Sequence, residues 1–529
     1  MSNRELLLGD EAIALGAIHA GISGAFAYPG TPSTEIFEYV DSVADKYNVS
    51  AVWSANEKVA YEEALGMSFS GKRALVSMKH VGLNVAADAF VNSGITGVNG
   101  GLVLCVADDP GMHSSQNEQD TRYYARFALV PCLEPVNQQE AYDVTREAFE
   151  MSEKHGLPVI IRIVTRLAHS RSAVQVGPQR EKNTICKPHD VSQFTLLPSN
   201  ARVGYRKLTE KQPGLLEASE GCAHNILKLA GQDTSKGIIV NGPAYNYVRE
   251  AFGGTVPFAF LKVGMYPLPA GKIRQLVDAV DELLVIEEGY PFIEEQLTGV
   301  LGLPGKTVHG KYDGTLPRTG ELSPSIVSKA LQLEDAQLQQ PTLETVPGRP
   351  PALCRGCGHS DMFKAIRSVL DETEESAAFA DIGCYTLGFY PPYNAIESCV
   401  DMGASISMAL GAAKAGMQNV VCAIGDSTFA HSGMTGLLSA VFSDANMTVF
   451  ILDNGTVAMT GTQDTMLTGE ALVNQVKGLG VNPEHLHLIN PLPKLHQENV
   501  AVIKNALAHK GLSVVIACRP CVQWMKKNK

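Results

Sequence analysis

The chain has no apolar run approaching the roughly 20 residues that a membrane-crossing helix needs, so no membrane span is expected. Its opening, MSNRELLLGDE, carries acids where a secretory leader has a basic segment followed by an apolar one. The expected location is therefore the cytoplasm. Basic surplus is also lacking: 43 Lys and Arg against 55 Asp and Glu leave a formal charge of −12. With no basic stripe or tail, binding that tracks nucleic-acid phosphates is excluded. HExxH, GxSxG and the Rossmann glycine fingerprint are missing in any convincing setting. Gly66 to Lys72 nearly spells a nucleotide P-loop, but Arg73 stands where Ser or Thr must meet the metal, and a helical pattern precedes it. An even cysteine count is lacking too: there are 11, spread over a long chain without an export signal. That argues against a disulfide scaffold and for reduced thiols, some of them as metal ligands.

What is present is a long, well-packed α/β pattern. The 529 residues, 45% hydrophobic and 19% charged, exceed one core and predict about two to four domains. Short β-rich runs at 25–28, 49–53, 74–78, 102–106 and 159–164 alternate with helical patterns at 9–20, 57–68, 84–92 and 139–154. Strands separated by helices predict right-handed crossovers and a parallel sheet covered on both faces. From Thr165 to Gln212 the pattern dissolves into polar residues and prolines and reads as a connector. A smaller α/β unit follows, with strands at 237–240, 258–262 and 282–286 and a helix at 272–281. A second, proline-rich connector runs from GTLPRTGELSPS to QQPTLETVPGRPPALC. The expected division is 1–195, 196–345 and 346–529.

The third segment carries VVCAIGDSTFAHSGMTGLLSAVFSDANMTVFILDNGTVAMTG. Strand, turn, helix and strand in that order place Gly425-Asp426 and Asp453-Asn454 at the carboxyl ends of two parallel strands, where open α/β sheets bind ligands. Asp426 and Asn454, 28 positions apart, can face each other across the crevice. With the Thr456 carbonyl they make an oxygen set suited to Mg2+ rather than zinc. Gly425 would let backbone approach a phosphate, and the hydroxyls of Ser427 and Thr428 could bond it. Either turn alone reads as an ordinary Asp, Asn and Gly turn after a strand. Two of them closing one βαβ unit favour the functional reading.

This string resembles the thiamine diphosphate motif, a GDG triplet answered by an Asn after the next strand, with Ser427 in place of the second glycine. YPGTPSTEI, WSANEKVAYEEALG, MKHVGLN, ADDPGMHSSQNEQ, DIGCYTLG and MGASISMALG widen the match. Together they resemble the large (alpha) subunit of the indolepyruvate:ferredoxin oxidoreductases, within the 2-oxoacid:ferredoxin oxidoreductase family. The resemblance implies two parallel-sheet domains of the thiamine diphosphate-binding type flanking a smaller α/β domain like the transketolase C-terminal one. It also implies an activating glutamate that donates to the cofactor's pyrimidine, carried here by Glu57, which must sit where there is little water. Without the resemblance Glu57 reads as a first-turn glutamate complementing a helix dipole. Thr31 is implied near substrate and thiazolium, though by itself it is a threonine in a proline-bracketed turn. Lys79, with His80, offers a cation or donor for a substrate carboxylate. His359 is implied near the diphosphate, and equally suits a turn donor. The polar loop 108–120, with His113, Ser114, Gln116 and Asn117, reads as an active-site loop or a solvated one.

Cys354 and Cys357 form one CxxC, and Cys518 and Cys521 another. Spacing alone allows zinc or cysteines filling small apolar spaces, as is expected of Cys105, Cys132, Cys222, Cys399 and Cys422. The resemblance instead implies one [4Fe-4S] cluster on Cys354, Cys357, Cys384 and Cys521, with Cys518 spare. Large subunits of the family usually continue into a ferredoxin-like domain with two Cys-rich repeats, which this sequence does not contain. The implied activity is oxidative decarboxylation of an aryl 2-oxoacid to an acyl-CoA, with electrons passing to ferredoxin. The implied partners are coenzyme A, ferredoxin and a smaller beta subunit of about 200 residues, the size of one or two domains, in a dimer of heterodimers. Two other readings stay open: a non-oxidative thiamine diphosphate decarboxylase or carboligase, and a non-catalytic scaffold whose cofactor site has decayed at Ser427.

Overall fold

The computed structural model describes residues 4–229, 233–333, 351–373 and 375–528. The chain forms two compact units, Met1–Thr342 and Leu343–Lys529. Most of the second proline-rich connector, and the expected 345/346 boundary, lie outside the described residues.

The first unit is built on a seven-stranded sheet. Its order is Met265–Tyr266, Cys132–Leu133, Val159–Val164, Leu102–Asp108, Ala74–Lys79, Gly24–Ala27 and Ser50–Trp53. Every neighbouring pair is parallel except the one made by Met265–Tyr266. Both faces are covered. Val103, Cys105 and Ala107 pack into one apolar cluster, Leu102, Leu104 and Val106 into the other. This is why the central strands read as continuous apolar runs rather than alternating ones. A five-stranded sheet follows, ordered Thr307–His309, Glu282–Ile286, Asp233–Asn241, Phe258–Val263 and Ile226–Lys228, antiparallel only at its last pair.

The two sheets of this unit are joined by a buried ionic network. Arg122 donates to Asp120 and, at 2.8 Å, to Glu287, while Arg162 donates to Asp108 at 2.6 Å and to Glu134. Both guanidinium groups are fully buried. Burial alone would cost several kcal/mol per ion, and each arginine is tolerated because its donors end on carboxylates and carbonyls.

The stretch 165–212 departs from the expected connector. Arg171–Gln175 pairs antiparallel with an unforeseen N-terminal strand, Arg4–Leu8, and Pro198–Gly221 is a 24-residue helix. That helix buries only Leu208, Leu215 and Ser219 and holds Pro213 internally. A stripe that narrow is too weak a periodic signal, and an internal proline argues against a helix.

The second unit carries a six-stranded, all-parallel sheet ordered Ser398–Cys399, Ala377–Ala380, Val420–Gly425, Met447–Asp453, Leu512–Cys518 and Leu486–Ile489. Val421 and Ala423 face one apolar cluster, Val420, Cys422 and Ile424 the other. Among the described residues, no helix is long and apolar enough to cross a membrane. The architecture is the expected α/β one, with parallel sheets in both units.

Candidate functional site

In the first unit, the expected residues gather at the carboxyl ends of neighbouring strands. Ser50–Trp53 leads through Asn56 into the helix Glu57–Phe69, whose start Asn56 caps by accepting the Val59 amide at 2.9 Å. The cap fixes the first turn, and Glu57, its first residue, is buried at 5% exposure. Room for the Glu57 carboxylate is made by Gly82 on the helix His80–Thr96. A Cβ on Gly82 would lie 2.6 Å from Glu57 Oε1. Gly82 went unnoticed in the sequence, although it sits inside MKHVGLN, where a glycine in a helical pattern marks close approach.

Lys79 ends its strand and donates to the Ser114 carbonyl at 2.8 Å, while Ser114 Oγ donates to the Thr31 carbonyl at 3.3 Å. Burial holds the Lys79 ammonium down at about 8, opposed by the charges of Asp109 and Glu57. Thr31, Lys79 and the polar loop are thus brought together, with Glu57 in electrostatic range of Lys79. Asp109, also unforeseen, organises the loop. Its Oδ2 accepts from the Ser114 amide at 2.8 Å and Ser115 Oγ at 2.7 Å, and its Oδ1 accepts from Thr165 at 2.7 Å. His80 lies further in, its Nε2 donating to Asn117 at 3.2 Å.

In the second unit, the strands Val420–Gly425 and Met447–Asp453 are adjacent and parallel, so their ends bring Asp426 and Asn454 to one rim. Asp426 Oδ2 accepts the Gly455 amide at 2.8 Å, and its Oδ1 the Ser427 amide at 2.8 Å. Gly455 takes a φ of +75°, a turn that suits glycine. Among the described residues no arginine or lysine is paired with Asp426: burial first, and Asp453 second, push its carboxyl up to about 7. Asp453 is held by the Thr468 hydroxyl at 2.5 Å and the Gly469 amide at 2.7 Å, and two buried carboxylates with neutral donors suit a divalent cation. Asn454 Oδ1 accepts the Thr456 amide at 3.0 Å, and its amide nitrogen donates to His359 Nε2 at 3.3 Å. That contact assigns the His359 proton to Nδ1, and burial lowers the ring to about 4, leaving it neutral. Ser427 Oγ stands 3.5 Å from Asp426 Oδ1. From Asp426 the chain runs as a helix with one π turn at Phe429–Gly433. Such turns recur at functional sites.

The same rim gathers four cysteines. A cavity of about 90 Å³ is lined by Cys354, Cys357, Cys384 and Cys521 together with His359, Asn454 and Arg519. The Cys521 amide donates to the Asn454 carbonyl at 2.9 Å, so the end of the strand Leu512–Cys518 is tied to the Asp453-Asn454 turn. Burial, with the charges of Cys357, Cys521 and Cys354, pushes the Cys384 thiol up to about 12. Cys518 is held elsewhere: it donates toward Asp453 at 3.7 Å, and burial with that carboxylate raises it to about 11. Among the described residues, no three of these sulfurs lie within 4.8 Å of one another. A tetrahedral zinc ion, with bonds of about 2.3 Å, would need them closer.

Comparison with known proteins agrees on the family. Residues 15–211 match the pyruvate flavodoxin/ferredoxin oxidoreductase thiamine diphosphate-binding model, and 381–517 the C-terminal thiamine pyrophosphate-binding domain of thiamine pyrophosphate enzymes. Indolepyruvate oxidoreductase subunit IorA of Methanothermobacter thermautotrophicus is 39% identical over 98% of this chain and 86% of its own. The same subunit of Archaeoglobus fulgidus is 39% identical over 99% and 87%. Among solved structures, 2-oxoglutarate:ferredoxin oxidoreductase from Magnetococcus marinus superposes on 63% of this chain and 65% of its own, with a TM-score of 0.52 at 16% identity. That likeness supports the fold alone.

Proposed function

Because the chain belongs to the indolepyruvate oxidoreductase IorA subunit family and is a thiamine diphosphate-dependent 2-oxoacid oxidoreductase, we propose that it oxidatively decarboxylates an aryl 2-oxoacid of the indolepyruvate kind to an acyl-CoA in the cytoplasm. Electrons leave through a [4Fe-4S] cluster to ferredoxin, and a smaller beta subunit completes a dimer of heterodimers. Thiamine diphosphate, when bound, would supply the electron sink for decarboxylation, and an iron–sulfur cluster would supply one-electron acceptance.

This chain's own residues then have separate tasks. Asp426, Asn454 and the Thr456 carbonyl would hold Mg2+ for the diphosphate, and Gly425 and Ser427 would bind the diphosphate at the same turn. The unanswered charge of Asp426 fits that role, and His359, neutral and bonded to Asn454, fixes the amide's orientation. Glu57, buried at the start of its helix, would meet the cofactor's pyrimidine. Lys79, as the ammonium, binds the substrate carboxylate, and Thr31 lies beside it. Cys354, Cys357, Cys384 and Cys521 hold the cluster as thiolates.

The observation that carries the oxidative reading over a non-oxidative carboligase is that single cavity, where four cysteines meet His359 and Asn454. An electron acceptor held there lies next to the diphosphate rim. Anaerobic purification tests it: a brown protein with about four irons per chain is expected, and a colourless, iron-free protein that still decarboxylates would establish the carboligase. The scaffold reading is tested by titration with thiamine diphosphate and Mg2+, where heat of binding is expected.

A further inference from the structure

Away from the cysteines and the Asp426 rim, three titratable side chains converge in the first unit. Asp10 lies in the first turn of the helix Gly9–His19, Glu35 in the first turn of Thr34–Tyr47, and His169 caps the short helix Thr165–Ala168. One ligand atom from each lies within 4.8 Å of the other two. His169 Nε2 stands 3.5 Å from Glu35 Oε2, a loose contact.

First-turn acids are common because the helix dipole favours them, and that explains the presence of two carboxylates. It does not explain how Asp10 is held. Its side chain is fully buried, and among the described residues neither of its oxygens has a nitrogen or hydroxyl donor in hydrogen-bond geometry; what it meets is the Glu35 carboxyl, whose Oε2 has only the His169 ring, at 3.5 Å. A buried carboxylate normally collects two or three donors or an ion partner. The groups that act on Asp10 are instead acidic, Glu35 and Glu11, and together with burial they raise it well above the usual carboxylate range. Glu11 is engaged elsewhere, accepting the Leu8 amide at 2.7 Å and facing Arg171 at 3.4 Å. Asp109, also in electrostatic range of His169, is committed to Ser114, Ser115 and Thr165. What Asp10 lacks is a positive partner of its own, since the His169 ring, held up by Glu35, answers that second carboxylate.

We propose that Asp10, Glu35 and His169 bind a zinc ion. Two carboxylate oxygens and one imidazole nitrogen form a three-ligand set with a position open to water; Mg2+ and Ca2+ prefer oxygen alone. Half-exposed His169 gives the ion its entry path. Glu35 opens the helix that follows YPGTPS, a loop folded onto the same helix start by Gly30 N–H donating to Thr34 Oγ1 at 2.9 Å and Ser33 Oγ donating to the Gly30 carbonyl at 2.8 Å. The ion would therefore brace the Thr31 loop against the end of the strand Val159–Val164, at a distance from the reacting atoms.

The full chain, stripped with chelator and re-equilibrated with Zn2+, would be assayed for zinc per chain and for melting temperature. The same measurements on Asp10→Asn and His169→Ala complete the set. Any metal captured by cysteines emptied by the chelator is told apart by Co2+ spectra: thiolate ligation gives intense near-ultraviolet charge transfer, carboxylate and imidazole ligation only weak visible bands. We expect wild type to hold one equivalent more than either variant, with those weak bands, and a zinc-dependent rise in melting temperature. In the variants the bands and the rise should disappear, with affinity down by more than about tenfold. Equal zinc content in all three proteins overturns the site. So does an Asp10→Asn protein that melts higher while zinc leaves wild type unchanged, since the two carboxyls would then share a proton instead.

Discussion

The Gly82→Ala change isolates the geometry around Glu57. The added methyl would sit 2.6 Å from Glu57 Oε1, 2.7 Å from its Cγ and 2.9 Å from its Cδ. Ordinary carbon contacts begin at about 3.5 Å, so the carboxylate must retreat by about an ångström. The side chain is flexible enough to do so at modest cost. The helix gains up to about 1 kcal/mol from alanine over glycine, which leaves overall stability little changed. Catalysis is far less tolerant: displacing a reacting group by an ångström costs about 100-fold. The expected result is a melting temperature close to wild type, thiamine diphosphate affinity within a few-fold, and kcat for the 2-oxoacid down by about two orders of magnitude. If Gly82 acts through Glu57, the double variant with Glu57→Gln should be no slower than Glu57→Gln alone, because one group cannot be lost twice. A Gly82→Ala enzyme running at the wild-type rate would refute the reasoning, and so would a double variant slower than wild type by the product of the two single losses.

Three further outcomes are expected. Glu57→Gln should bind thiamine diphosphate with near-normal heat yet lose turnover, as measured by calorimetry beside steady-state rates. For Lys79, charged below its folded value of about 8 and neutral above it, kcat/KM should fall on the alkaline side with an apparent pKa near that value; in Lys79→Arg, which keeps its charge, the limb should move beyond the measurable range. Cys384→Ser should lose iron and the brown colour, while Cys518→Ser, whose sulfur leans on Asp453 rather than on the other thiols, should keep both.

The readable parts of this molecule are those whose chemistry is local in sequence. The strands Val420–Gly425 and Met447–Asp453 are buried on both faces, so their apolar runs were visible, and the turns after them were marked by Gly, Asp and Asn. Glu57 was visible only through the resemblance carried by WSANEKVAYEEALG, since by itself it reads as a first-turn helix glutamate. The polar helix Pro198–Gly221 was invisible because three buried side chains in 24 residues make no periodic signal. The strand Arg4–Leu8 was missed because its partner, Arg171–Gln175, lies more than 160 positions away. Contacts made only by folding, whatever their separation in sequence, are hidden too: Gly82 beneath Glu57, Asp109 holding the Ser114 loop, and Arg122 and Arg162 threaded between two sheets. Cysteine spacing left Cys518 and Cys521 equivalent members of one CxxC, and only the resemblance favoured the second. Folding separates them by direction: the strand Leu512–Cys518 ends with Cys518 against Asp453, and the next turn swings Cys521 onto the Asn454 carbonyl, into the cavity shared with Cys354, Cys357 and Cys384. A three-residue interval at a strand end thus sends one sulfur toward a carboxylate and the other toward three thiols, which is why exchanging them by mutation should have unequal consequences.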